Sequence, residues 1–378
     1  MNRPKLSSWG LALLSPTLLL LLVSAAWAGD PLPSWNEGKA KQELLRFAAA
    51  VSTPGSPQFV PAAERIAVFD NDGTLWAEQP AYAQLQFARD RLKTLTPQQQ
   101  QQLNAAGATD EQALLALVMA THAGTSTEVF SQSVRCWIAS ARHPSTGRRY
   151  TEMTYQPMLE LLALLRERGF KTYIVSGGGA DFIRPWAEAV YGIPPEQVIG
   201  SRIEVRLEQT AAGPVLMRQP QLTFLNDKEN KPVGIHEHIG RRPIAAFGNS
   251  DGDLAMLQWT SAGNRPHLAM LVHHTDAARE WAYDRRSAVG RLDQALAAAP
   301  SQGWIVADMQ RDWATIYPPL QSTPPVRCNG GLKKGGAKLI CGIGLDSSRH
   351  ETPGKPDCSG SVPAIRIGWP LSRTNTSQ

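Results

Sequence analysis

Ile66-Ala67-Val68-Phe69-Asp70-Asn71-Asp72-Gly73-Thr74-Leu75-Trp76 is the stretch whose reading decides the fold. Its first four residues are all apolar, with no polar alternation, so they read as a strand buried on both faces of a parallel sheet. The strand runs into two carboxylates two residues apart, and Gly73-Thr74 then breaks it. In open α/β sheets ligands bind beyond the carboxyl ends of the strands, which delivers both acids to the functional edge. Two acids so close repel each other unless a cation or a reacting group uses them.

Three chemistries compete for this stretch. A calcium loop of the EF-hand type would align Asp70, Asp72 and Gly73 with its third, fifth and sixth positions. Its first and last positions would then be Val68 and Gln79, neither of them a carboxylate, and a strand rather than a helix leads in. A turn with a helix cap is the plain alternative, since Asp-Asn-Asp-Gly suits turns. The third is a nucleophilic aspartate and an acid/base aspartate around a divalent metal. The rest of the chain has to choose among them.

Downstream, α/β alternation returns after a long helical stretch. Met158 to Arg168 is an amphipathic helix stopped by Gly169, and Lys171 to Val175 is a buried strand ending in Ser176-Gly177-Gly178-Gly179. A helix follows over Asp181 to Val190, and Gly200 to Gln219 alternates as a small hairpin. A helix running through His238 opens near Lys228 and Lys231. Pro243 to Phe247 is the next buried strand and ends in Gly248-Asn249-Ser250-Asp251-Gly252-Asp253. As an EF-hand this second acidic stretch fails too, with Phe247 and Gln258 at its ends. His267 to Val272 is a final short strand. The pair His273-His274 beside Asp276 invites a metal or acid–base reading, but a structural helix start at Thr275-Asp276, with a helix over Ala277 to Asp284, is preferred. Asp293 to Ala299 and Trp304 to Tyr317 close the domain.

Upstream, Trp35 to Val51 is one amphipathic helix. Between Ala77 and Thr154 the pattern is helical throughout. Tyr82, Leu85, Phe87 and Leu92 mark one helix; Leu114, Leu117, Val118 and Thr121 another; Phe130, Val134, Trp137, Ile138 and Ala141 a third. Gln98 to Gln102 follows Thr96-Pro97 and reads as a solvated helix face. A helical insert directly after a strand that carries two acids suggests a cap that excludes water and selects the substrate; an ordinary helical layer is the alternative.

Taken in order, the Asp70-x-Asp72-Gly73-Thr74 run, Ser176 at the second strand end, Lys231 at a helix start and the Gly248 to Asp253 loop resemble the four motifs of the haloacid dehalogenase (HAD) superfamily. The resemblance covers roughly residues 64–260 and points to the phosphoserine-phosphatase-like branch, with its helical cap after the first core strand. It implies an α/β fold with a Rossmann-like parallel sheet, and a Mg²⁺-dependent phosphatase working through an aspartyl-phosphate. Asp70 would be the nucleophile and Asp72 the general acid and base, with Ser176, Gly177, Thr74 and Lys231 holding the phosphate. Lys228 is the alternative to Lys231. Asp70, Asp72, Asn249, Asp251 and Asp253 would serve the metal. Asn249 departs from the family, which has an acid there, although an amide oxygen can still coordinate a hard cation. The presence of Asp72 argues against the dehalogenase branch, because a departing halide needs no proton. Trp76, Glu78 and Tyr82 follow the first motif at the expected face of the leaving group; an acid beside aromatics could cradle an amine, as in phosphoserine or phosphocholine. A phosphotransferase of the same fold, separable by product analysis with added alcohols, and a non-catalytic exported metal-binding module, which would melt metal-dependently without turnover, are the alternative functions.

The ends of the chain set the expected compartment. Arg3 and Lys5 precede an apolar run from Leu11 to Val23 and then Ala26-Trp27-Ala28, the pattern of a signal peptide cleaved after Ala28. The run is short for a membrane span, so an exported, periplasmic location without stable membrane insertion is expected, a retained anchor being the alternative. The tail from 320 to 378 is rich in Gly, Pro, Ser and Lys and reads as a flexible appendage, apart from one short strand over Ala337 to Ile343. It holds Cys328, Cys341 and Cys358, which export permits to pair, whereas Cys136 is expected to be a buried free thiol. The 378-residue chain is formally +5, but residues 29–320 carry 28 basic against 30 acidic side chains. That excludes a basic nucleic-acid footprint on the body; closure of the expected cap over a small site favours a small phosphorylated metabolite as the partner. The expected organisation is a signal peptide (1–28), an α/β core (29–76 and 155–319), a helical cap (77–154) and the tail.

Overall fold

A computed structural model of the chain describes residues 29–93 and 117–320. The signal-peptide, glutamine-run and tail expectations, including the Ala337 to Ile343 strand, lie outside the described residues. Everything that follows belongs to one compact unit beginning at Leu32.

Strand β1 (Ile66–Phe69) is buried at all four positions, as its uninterrupted apolar sequence requires. It lies at the centre of the sheet, parallel to β2 (Lys171–Gly179) on one side and β5 (Ala245–Gly248) on the other. Beyond β2 comes β3 (Val198–Thr210), parallel to it at Ile174↔Val198, and β3 turns back into antiparallel β4 (Gly213–Phe224). Beyond β5 comes parallel β6 (Leu268–Thr275), which pairs with the two-residue β7 (Ala282–Tyr283) and with β8 (Ile305–Asp308). The motif loops therefore emerge side by side at the carboxyl edge of β1, β2 and β5.

Helices cover both faces: α1 (Lys39–Ser52), α2 (Ala83–Leu92), α3 (Thr127–Ser140), α4 (Gln156–Glu167), α5 (Ala180–Tyr191), α6 (Asn230–Ile239), α7 (Leu254–Ser261), α8 (Gln294–Gln302) and the short α9 (Met309–Asp312). A further helical stretch occupies residues 117–122. One hydrophobic core holds α1, α3, α4 and α5 against one face of the sheet, with Phe69 stacked on Phe247 at 4.4 Å. A second core, around Val68, Val175, Ile235 and Leu257, fills the other.

The described part of the insert is welded to this frame by aromatic contacts. Phe87 of α2 meets Phe130 and Trp137 of α3, and Phe182 of α5, with ring centroids 5.4–5.8 Å apart. Trp76 stacks on Trp186 at 4.5 Å. Phe87, Phe130, Val134 and Ile138 belong to the same continuous core as Phe69 and Phe247.

Several expectations are corrected. The hairpin is long, because β3 begins as a parallel partner of β2 and continues past the sheet edge. The expected helix over Ala277 to Asp284 is instead a turn followed by β7; Asp276 does accept the Ala278 and Arg279 N–H groups, but the chain is then claimed by β6. Cys136 is half-buried on α3 and disulfide-bonded, not a free thiol. Among the described residues no helix is long and apolar enough to cross a membrane.

Candidate active site

The site is built from the backbone outward. The Asp70 N–H donates to the Phe247 carbonyl at 2.9 Å, so the β1–β5 ladder itself aims Asp70 at the Gly248 loop. After Asp72 the chain turns sharply: Gly73 has φ +74° and donates to the Trp76 carbonyl at 2.8 Å. A side chain at Gly73 would collide with Asn249 and Glu78 as well as strain the backbone, so glycine is required twice over. The turn is closed from behind by buried His274, whose Nε2 lies 2.8 Å from the Gly73 carbonyl and therefore donates to it.

Lys231 binds the two sides of the site together. Its ammonium, 2% exposed at the start of α6, sits 2.8 Å from Asp70 Oδ1 and 2.6 Å from Asp253 Oδ1. Lys228 is exposed in the turn before α6, at φ +52°. Lys231 is therefore the lysine brought to Asp70. The second Asp253 oxygen accepts the Asn249 N–H at 2.9 Å and the Ser250 N–H at 3.1 Å. Both Asp253 oxygens are thus engaged, and its task is to hold Lys231 and the loop.

Asn249 reaches across to the first motif. Its Oδ1 accepts from the Thr74 hydroxyl at 3.0 Å, and its Nδ2 donates to Glu78 Oε1 at 2.7 Å. Tyr283 donates to the same Glu78 oxygen at 2.8 Å. Tyr283 in turn stacks on His274 at 4.3 Å.

Ser176, expected at a strand end, lies inside β2, which continues to Gly179; its hydroxyl accepts the Gly178 N–H at 3.0 Å, while buried Asn226 donates to the Ser176 carbonyl at 2.9 Å. Gly177 lines the cavity, and its carbonyl accepts from Ser201 at 2.7 Å.

Two sequence expectations are corrected by placement. Asp251, expected in the metal shell, accepts the N–H groups of Asp293 and Ala295 at 2.9 and 3.0 Å, which ties it to the start of α8. Trp76, expected at the substrate, does not line the cavity: it packs on Trp186 and donates Nε1–H to Asp72 Oδ1 at 2.8 Å. Glu78 and Tyr82 do line it.

The cavity over these residues holds about 470 Å³. Asp70, Asp72, Glu78 and Lys231 form one end, residues 118–122 and α5 one wall, and Arg218 and Leu222 of the hairpin the other. Gln84, His122 and Arg218 were not singled out from the sequence. Gln84 accepts the Gly179 N–H at 2.8 Å and lies 3.2 Å from His122 Nε2. Thr121 spends its own hydrogen on the Leu117 carbonyl and lies 2.8 Å from His122 Nδ1, so Nδ1 carries the imidazole proton and Nε2 accepts from Gln84. Burial, then the nearby Arg218 charge, hold His122 well below the usual histidine range, in accord with that neutral form. No periodicity or spacing links these residues; only Gln84, in the same turn as Tyr82, had a local signal.

The electrostatics are those of an anionic site short of cations. Burial, reinforced by Asp253 and opposed by Lys231, pushes Asp70 up to about 8. Burial, opposed by the Trp76 hydrogen bond, raises Asp72. Burial, opposed by the Tyr283 hydrogen bond and reinforced by the Asp72 and Asp70 charges, raises Glu78 well above the usual range. Lys231 is driven upward by Asp253 and Asp70 against its own burial, so it stays an ammonium. Its single charge faces Asp70, Asp72, Glu78 and Asp253. Among the described residues no group of three or more His, Cys, Asp or Glu is arranged to hold a metal on its own. Asp70 and the Asn249 oxygen are hard oxygen donors beside uncompensated negative charge, which fits a small divalent cation.

The family model of haloacid dehalogenase-like hydrolases matches residues 67–258, just over half of the chain. The chain belongs to that family. Its fold is similar to a protein of unknown function from Bordetella pertussis at 16% identity, covering 65% of this chain and 99% of that one, with a TM-score of 0.42. A probable phosphoserine phosphatase from Vibrio cholerae aligns at 15% identity over 71% and 75% of the two chains, with a TM-score of 0.32. A phosphoserine phosphohydrolase-like protein from Francisella tularensis aligns at 17% over 55% and 87%, with a TM-score of 0.33. No curated protein sequence matches the chain.

Proposed function

We propose that this HAD hydrolase is an exported, Mg²⁺-dependent phosphatase that cleaves a small organic phosphomonoester. The observation that carries the reading is the pairing of Asp70 with buried Lys231, with Asp72 two residues on and itself held by the Trp76 N–H. A nucleophile and a separate acid/base are both needed when the leaving group is an alkoxide.

Asp70 attacks phosphorus through its carboxylate, forming an aspartyl-phosphate and releasing the alcohol. Asp72, whose carboxyl burial favours in the protonated form, gives its proton to the leaving oxygen. It then takes a proton from the water that hydrolyses the intermediate. Lys231, Ser176 and the Gly177 N–H offer positive charge and donors to the phosphoryl oxygens as charge develops there. Asp70, the Asp72 carbonyl and Asn249 Oδ1 would hold Mg²⁺, which would supply charge neutralisation at the phosphate. The cavity walls from the insert and the hairpin exclude water and choose the alcohol. The N-terminal Arg3 to Ala28 pattern supports export.

The test is hydrolysis of p-nitrophenyl phosphate by residues 29–378, with Mg²⁺ and with EDTA, beside Asp70→Asn. Metal-dependent turnover is expected, and Asp70→Asn is expected to abolish it while the circular dichroism spectrum stays unchanged. Absence of turnover with any divalent metal and a panel of small phosphomonoesters would overturn the reading.

A further inference from the structure

We propose that Glu78 is the acid of the cation site, acting through Asn249: the carboxylate and the amide have exchanged places across one hydrogen bond. The inference rests on the metal-dependent reading above and adds a residue to it.

The first observation is orientation. An asparagine can present either its oxygen or its NH₂ group to a cation, and only the oxygen is useful. Here the NH₂ group is committed to Glu78 Oε1 at 2.7 Å, so Oδ1 is the atom turned toward Thr74 and the first motif. Thr74 uses one lone pair of Oδ1 and leaves the other for a cation. A carboxylate accepting from the amide N–H also drives electron density toward that oxygen, as partners behind metal ligands do.

The second observation is position. The amide at position 249 stands where the family has an acid, and Glu78 places a carboxyl group at hydrogen-bond distance from it. A carboxyl group 2% exposed beside Asp70 and Asp72 is costly to keep, yet the fold makes room for it. A side chain at Gly290, which has φ +66°, or at Gly73 would collide with Glu78 Oε1. Tyr283 completes the cradle with its hydroxyl. With Oε1 shared by Asn249 and Tyr283, Glu78 is fixed as part of the catalytic floor. That placement differs from the amine cradle expected from its position in the sequence.

The experiment is titration of Mg²⁺ into the metal-free protein, residues 29–378, by calorimetry and by the shift in melting temperature. Glu78→Gln retains the size and an oxygen for Asn249 but loses the charge. It is expected to weaken Mg²⁺ binding about 10- to 100-fold. Glu78→Gln combined with Asn249→Asp returns the charge on the other side of the same hydrogen bond, and is expected to recover the affinity to within about threefold. Tyr283→Phe, which removes the other donor to Glu78, is expected to weaken binding severalfold and serves if Glu78→Gln does not fold. Unchanged Mg²⁺ affinity in folded Glu78→Gln, or in Tyr283→Phe if that variant is the one available, would overturn the proposal while leaving the phosphatase reading intact. Failure of the paired substitution to recover affinity would overturn the exchange. Absence of Mg²⁺ and Mn²⁺ binding by the unsubstituted protein would overturn both.

Discussion

Asp70, the proposed nucleophile, is discouraged from ionising by its own surroundings. Burial and Asp253 raise it from 3.8 to about 8, against the pull of Lys231. An acid raised in the folded state binds more protons there than in the unfolded chain between those two values. Its stabilising contribution is therefore complete below its ordinary value and is lost as pH rises toward about 8. The melting temperature of the metal-free protein is expected to fall between about pH 5 and about pH 8, and saturating Mg²⁺ is expected to flatten that fall. A metal-free protein whose melting temperature is level across this window would contradict the electrostatic account. Trp76 makes the complementary point for Asp72. Its Nε1–H lowers the Asp72 carboxyl against the burial that raises it, so Trp76→Phe keeps the stack on Trp186 but lets Asp72 rise further. The alkaline limb of the pH profile of kcat/KM is expected to move up, with a loss of rate of up to about 10². The neighbourhood of Asp70, Asp72, Lys231 and Asp253 was legible in the sequence because each follows a strand or opens a helix; Ser176 read as a strand end, whereas β2 runs on to Gly179. Trp76 was readable as a neighbour, but not as a donor aimed inward.

At the scale of elements, the cavity is walled by segments that meet only in three dimensions. The Gly179 N–H, Gln84, His122, Thr121 and the Leu117 carbonyl form one hydrogen-bonded chain from the end of β2 into the insert. Arg218 ties the hairpin to the same place: its Nε donates to the His122 carbonyl at 2.8 Å, it pairs with Asp181 of α5, and its guanidinium lies 4.0 Å over the Phe130 ring. Alternation of residues made the hairpin legible, yet not its length, since the outer half of β3 is exposed and carries no apolar boundary. Arg218 itself looks like any strand arginine until the fold sets it against α3 and α5. Being 4% exposed, it leaves unsatisfied partners when removed. Arg218→Met is expected to cost about 2–3 kcal/mol, read as a lower urea midpoint at an unchanged denaturant slope. A midpoint within experimental error of the unsubstituted protein would show that the hairpin is held by its strand pairing alone.

For the molecule as a whole, the question is whether the insert opens as an independent lid or stands as a wall of the core. The apolar spacing in α2 and α3 announced helices, but a helical pattern is the same whether its apolar face meets a private core or a shared one. The structure settles the packing of the described part: Phe87, 1% exposed, touches Phe130, Trp137 and Phe182, so the insert and α5 of the core bury the same aromatic ring. A shared core couples opening of the insert to unfolding of the sheet. Amides in the middle of α3 are therefore expected to exchange hydrogen with a free energy close to that of β1. Phe87→Ala, which empties the shared position, is expected to cost about 3–5 kcal/mol and to lower the protection of α3 and β1 together. Exchange mass spectrometry on both proteins separates the alternatives. If α3 exchanges several kcal/mol more easily than β1, and Phe87→Ala widens that gap without moving β1, the insert is a lid with its own stability and access to the 470 Å³ cavity is set by its opening. If the two move together, access is set at the cavity mouth, by side chains of the fixed walls such as Arg218 and Leu222.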